Sequence, residues 1–141
     1  MANPQNSGPR IPYWMRGILL LAAAYNFVWG MLILFFPAAY IHWLSKGMVE
    51  PSMMLIKGVG AAVFLVGALL MMATIGKPAS WVYILAAFIA KAMGGPLVYI
   101  IVLEATFSKP FLFQVVMSDL IWLPPLFNIM RHYKILAQAE S

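Results

Sequence analysis

Trp81-Val82-Tyr83-Ile84-Leu85-Ala86-Ala87-Phe88-Ile89-Ala90-Lys91-Ala92-Met93-Gly94-Gly95-Pro96-Leu97-Val98-Tyr99-Ile100-Ile101-Val102-Leu103 is the stretch that decides the fold. It holds one charge in 23 residues. About 20 apolar residues in a helix cross the hydrocarbon of a bilayer, so the stretch predicts a transmembrane span. Its lysine is costly there, by roughly 2.5–3.5 kcal/mol on insertion scales. Two glycines and a proline follow it almost at once and weaken the helix at the same level. One other ionisable group lies comparably deep, Asp119 in the last apolar run.

The rest of the chain agrees with a membrane protein. Of 141 residues 64% are hydrophobic and 9% charged, against about 25% charged in a soluble domain. So few charges cannot cover a soluble surface, and the length leaves room for one small domain. The net charge of +5 is spread singly along the chain. No basic run of the kind that grips nucleic acid is present, and the cations suit loop asymmetry and anionic lipid instead. Without cysteine, disulfides, thiol chemistry and iron–sulfur ligation are excluded.

Residues 1–12 are polar and rich in proline, and predict a flexible tail ahead of a transmembrane domain over 13–134. The spans fall at about 15–36, 53–75, 81–103 and 111–130, with a short polar tail at 135–141. Tyr40, Ile41, Trp43 and Leu44 in the first loop predict a short interfacial helix. The loops at 76–80 and 104–110 are tight turns. The fold class is therefore all-α, an integral membrane four-helix bundle running up-down-up-down. Arg10, Arg16, Lys77, Arg131 and Lys134 gather at the ends shared by the two termini, which places both termini in the cytoplasm.

Counting residues from the opposite ends of their spans, Asn26 lies about 15 Å deep, Lys91 about 18 Å and Asp119 about 12 Å at a rise of ~1.5 Å per residue. The three fall within about one turn of each other along the bundle axis. The short turn between spans three and four makes those helices neighbours, so Lys91 and Asp119 are expected to form an ion pair, with Asn26 adding a hydrogen bond. Such a pair serves either as a functional centre or as a device that registers two helices. Pro96 removes the donor that would bond the Ala92 carbonyl, and Pro124 and Pro125 do the same for Leu120 and Ile121. Together with Gly94 and Gly95 these are the expected helix breaks. Irregular backbone persists in a membrane where it faces protein or a cavity. Trp29 follows Asn26, and Trp122 follows Asp119, each at i+3, and the two rings are expected to wall a pocket or to serve core packing.

No metal-ligand cluster, phosphate loop or nucleophile–base set is visible, and His42 and His132 stand at opposite ends. The pieces Tyr25-Asn26-Phe27-Val28-Trp29-Gly30 with Phe36-Pro37, Lys91 with Gly94, and Ser118-Asp119-Leu120-Ile121-Trp122 with Pro124 resemble a family of small four-helix bacterial membrane proteins of unassigned function, loosely DoxX-like. The chain departs from that pattern at Gly95, an added glycine before the proline, and at Ser118, where the family tends to have asparagine. The resemblance implies the four-helix fold and a bacterial inner-membrane location. A peroxide-reductase label carried by some relatives needs a thiol that this chain lacks.

The function that follows is non-catalytic: an accessory subunit or a binder of an amphiphilic ligand, a lipid or quinone, centred on Lys91, Asp119 and Asn26. The alternative is a small transporter or proton conductor using Lys91 and Asp119 as a switchable pair. No cofactor identity follows from the residues. The small size favours a homo-oligomer or a larger membrane partner. If the ion pair forms, Asp119→Asn alone destabilises more than Asp119→Asn with Lys91→Met, because the single change strands a charge. Thermal melting in detergent reads the difference.

Overall fold

The computed structural model describes residues 11–140, apart from the side chain of Glu140. The expected N-terminal tail lies outside them except for Ile11 and Pro12. The described residues form helices joined by short turns, with no strand among them. Helix α1 is Tyr13–Phe35, α2 Pro37–Ser45, α3 Met53–Ile75, α4 Trp81–Leu97, α5 Lys109–Val115 and α6 Leu123–Glu140. A 3-10 turn at Pro78–Ser80 leads into α4. Two π turns, Val98–Val102 and Val116–Leu120, continue α4 and α5. Four segments, Tyr13–Phe35, Met53–Ile75, Pro78–Val102 and Lys109–Ala139, are long and apolar enough to cross a membrane.

Local chemistry sets the boundaries. Pro37 occupies the first turn of α2, where a missing N–H costs nothing. Lys46 at φ 54° and Gly47 at φ 77° end α2 in the left-handed region. Ser52 caps α3 by accepting from Leu55 N, and Ser108 caps α5 by accepting from Phe111 N. The Ser108 hydroxyl also donates to the Leu44 carbonyl and so ties the last interhelix turn to α2. The short helix expected around Tyr40–Leu44 is α2, and its Tyr40, Ile41 and Leu44 are buried.

The fourth span differs from expectation at its far end. A polar tail was expected from residue 135, but α6 runs to Glu140. Leu136, Ala137, Gln138 and Ala139 are strong or tolerant helix formers. Tyr133 and Leu136 are buried, and the Tyr133 hydroxyl donates to the Ala73 carbonyl at 3.2 Å, which holds this segment against α3.

The interior consists of two apolar clusters. One joins Leu19, Ala22 and Ala23 of α1 to Leu70 and Ala73 of α3, Ile84 and Ala87 of α4, and Leu126, Ile129 and Tyr133 of α6. The other joins Ile33 of α1, Tyr40, Ile41 and Leu44 of α2, Ile56 of α3, and Val102 and Leu103. In each long segment the two sets are separated by a stretch that belongs to neither, and those stretches carry Asn26, Gly58 and Ala62, Lys91 and Gly95, and Ser118 and Asp119. Much of the outer surface is apolar, with Met54 83% exposed and Ile75 77% exposed. Lipid is the solvent that such a surface suits.

Helices α1 and α3 approach most closely. A Cβ at Gly30 would stand 2.8 Å from the backbone nitrogen of Phe64. One at Gly60 would stand 3.0 Å from Leu34 N, and one at Gly67 3.1 Å from the Ala23 carbonyl. Small residues on both helices bring backbone against backbone, the packing that replaces hydrophobic driving force inside a membrane. Gly67→Leu is therefore expected to cost about 1–3 kcal/mol or more through overpacking. Gly17→Leu, at an exposed position with open space around it, should leave the detergent melting temperature nearly unchanged.

Candidate functional site

The site is built from the stretches that neither cluster claims. Lys91 projects from the middle of α4 and is buried, with 4% of its surface exposed. Its ammonium donates to Asn26 Oδ1 at 3.3 Å and to the Ser118 main-chain carbonyl at 2.6 Å. Asn26, equally buried, donates from Nδ2 to the Ala22 carbonyl at 2.8 Å. That bond fixes which end of the amide faces Lys91, so its oxygen is presented to the cation.

The Ser118 carbonyl is free because span four is irregular there. Ile121 N bonds to Val116 O at 3.0 Å and Trp122 N to Asp119 O at 3.1 Å. Neither takes the carbonyl of Met117 or Ser118. Met117 O accepts instead from Trp122 Nε1 at 3.0 Å, and Ser118 O from Lys91. Pro124 and Pro125, which have no N–H to offer, begin α6 directly beyond this turn. The helix is irregular beside Asp119, and the carbonyl that Lys91 takes up is that of Ser118, not of Leu120 or Ile121. In span three, Pro96 sits inside α4 and the π turn at Val98–Val102 follows it. Such π turns are frequent at functional sites.

Lys91 and Asp119 do not meet as an ion pair within 4.0 Å, and no described residue hydrogen-bonds the Asp119 carboxylate. The expected direct pair gives way to two neutral acceptors on the ammonium. The reason is geometric: the π turn directs the Ser118 carbonyl, one residue before Asp119, at Lys91. Asp119 Oδ2 lies instead over Gly95, 3.4 Å from where a Cβ would stand. Gly95 is one helical turn from Lys91 on the same face of α4, so the two charges are near neighbours along one wall.

That wall belongs to a cavity of about 660 Å³. Its polar end is made by Asn26, Lys91, Gln114, Ser118 and Asp119, with Tyr25 and Tyr40 beside them. The remainder is mostly apolar, from Leu55, Val59, Val63 and Val66 of α3, Leu97 of α4 and Val98 after it, with Ser52 a further polar residue on the lining. Gly58 and Ala62 of α3 and Ala90 of α4 line it and are also exposed, so it opens on the apolar outer surface between α3 and α4. Gly94 lines it on α4, and a Cβ there would meet nothing within 4 Å.

The two tryptophans fall in different places. Trp29 lines the cavity and stacks on Trp43, with ring centroids 5.9 Å apart. Trp122 is not on the wall; it packs against the first apolar cluster, with its ring 5.9 Å from that of Tyr25. The Tyr25 hydroxyl is 3.1 Å from Ser118 Oγ and braces the same turn. Tyr25, Tyr40 and Gln114 escaped sequence reasoning. Tyr25 and Tyr40 carried an aromatic signal but no depth cue, and a lone glutamine in an apolar run was the available sign for Gln114. Burial pushes the Tyr40 phenol above its ordinary pKa, with the Asp119 charge adding to the effect, so it stays protonated. Among the described residues no group of three His, Asp or Glu side chains could hold a metal ion.

Comparison with protein-family models, with curated proteins and with solved structures returns no match for this chain. What is defined is its class, an all-helical protein with four segments long and apolar enough to cross a membrane.

A double-mutant cycle tests which acceptor matters to Lys91. Asn26→Leu removes one of its two acceptors and is expected to cost about 1–3 kcal/mol. Most of that cost should vanish in the Lys91→Met background, a coupling on the order of 1 kcal/mol in a detergent melt. The coupling between Asp119→Asn and Lys91→Met should be smaller, because the carboxylate does not touch the ammonium.

Proposed function

We propose that this protein is a small integral membrane protein that binds an amphiphilic ligand, a lipid or quinone, with its head at the Asn26–Lys91–Ser118–Asp119 end of the cavity and its apolar body among the side chains of α3 and α4. The observation that carries this is the cavity itself. Ligand pockets run to roughly 300–1,000 Å³, with mostly apolar walls and a few convergent polar groups, and this one combines such a volume with a polar group at Asn26, Lys91, Gln114, Ser118 and Asp119 in a mostly apolar lining. Its opening between α3 and α4 faces the surface suited to lipid, so the ligand arrives from within the bilayer.

The accompanying arrangement is an up-down-up-down bundle in a bacterial inner membrane with both termini cytoplasmic, supported by the cations near the terminal ends of the spans. Membership of the small four-helix, loosely DoxX-like group belongs to the same proposal, on the residues that resemble it. Association with a second copy or a larger membrane partner, as an accessory subunit, is compatible with ligand binding and follows from the small size. A proton-conducting role for Lys91 and Asp119 receives less support, because Lys91 is held by two neutral acceptors.

Native mass spectrometry of protein released from mild detergent should show a bound amphiphile. Gly94→Phe places a ring into the cavity from a position with no neighbour to displace. It is expected to lower ligand occupancy about tenfold at limiting ligand while the melting temperature stays close to that of the ligand-free protein. Retention of the ligand in this variant would rule the cavity out as its site.

A further inference from the structure

The polar end of the cavity has a specific deficit, which depends on the ligand site just proposed and narrows what it takes. A lysine ammonium has three N–H donors. Two of those on Lys91 go to Asn26 Oδ1 and Ser118 O, leaving one. The Asp119 carboxylate, on the same wall, accepts no hydrogen bond from any described residue. Gln114 Oε1, also on that wall, is buried and has no partner. A spare donor and a bare carboxylate stand near each other without contact, beside a further unsatisfied amide. An unpaired polar atom such as Gln114 Oε1 is costly away from water.

We infer that the head of the ligand is a hydroxyl group that bridges Lys91 and Asp119. A hydroxyl oxygen accepts from the free N–H of Lys91 while its hydrogen is donated to the Asp119 carboxylate. Its second lone pair can accept from the Gln114 amide in the orientation that presents nitrogen. A ketone or ester carbonyl accepts from Lys91 and leaves the carboxylate bare. A cationic amine satisfies Asp119 and repels Lys91. A phosphate pairs with Lys91 and repels Asp119. A neutral hydroxyl serves both ends from one atom, and charge-assisted bonds to both an ammonium and a carboxylate are among the stronger hydrogen bonds available. The hydroxyl is carried either by an aromatic ring, as in a phenol, or by an aliphatic lipid alcohol. Tyr25, Trp29, Tyr40 and Phe111 on the adjoining wall suit a ring, and the aliphatic side chains of α3 suit a chain.

The test uses radiolabelled nonylphenol and dodecanol, each paired with its methyl ether, binding to the full protein in nanodiscs. Empty nanodiscs and the Gly94→Phe variant together give the background from partition into lipid. The ethers keep shape and apolarity but lose the donated hydrogen. At least one alcohol should bind above background about tenfold more tightly than its ether. Asp119→Leu should bring that alcohol down to the level of its ether, while ether binding persists. The phenol and alcohol arms tell which carrier is preferred. If each alcohol and its ether bind alike above background, water fills the gap, the hydroxyl bridge is wrong, and the amphiphile site stands. If no probe exceeds background while native mass spectrometry still finds an amphiphile displaced by Gly94→Phe, the bridge alone again fails. If neither experiment finds occupancy, the ligand site fails with it.

Discussion

A buried cation in the middle of a segment apolar enough to cross a membrane constrains this molecule. Lys91 cannot snorkel to water from the centre of its span, so the protein must bring acceptors to it. It does so with one side-chain oxygen and one main-chain oxygen, contributed by the first and fourth spans. Three helices are thereby registered at one level. The main-chain oxygen is available because the fourth span abandons regular α-helical bonding at that turn. Helix irregularity and charge burial are two aspects of one solution.

The same level is where the packing changes character. Toward either end of the spans, aliphatic and aromatic side chains fill the interior. At the level of Lys91 the interior is given over to polar groups, small residues and empty volume. Gly58, Ala62, Ala90 and Gly94 leave the wall thin where α3 faces α4. Burial of a charge beside unfilled space contributes nothing obvious to stability.

The spans were legible because hydropathy and length leave little choice in a membrane. In the structure α2 opens at Pro37, while Ser52 and Ser108 cap α3 and α5. Depth counting brought Asn26, Lys91 and Asp119 to one level, and the structure places all three on one cavity. The partner of Lys91 was not legible. Residue types invite opposite charges to be joined, whereas the contact belongs to a main-chain carbonyl, which any residue at position 118 would supply. Only the hydrogen-bond register of the π turn frees it, and register is not written in composition. Of the two uses open to the deep tryptophans, Trp122 takes core packing and Trp29 the cavity wall. The continuation of α6 to Glu140 was hidden by polarity, since Arg131, His132 and Lys134 suggest an end where Tyr133 and Leu136 still have surfaces to cover.

The contact of α1 with α3 through Gly30, Gly60 and Gly67 leaves no slack between those backbones. The other two spans each contain a π turn close to the cavity. The molecule thus has one half packed backbone to backbone and one half with irregular helices, and residues of both line the chamber. If the chamber takes a guest, the close α1–α3 contact is the wall that cannot yield and the irregular spans are the side where the backbone has room to adjust.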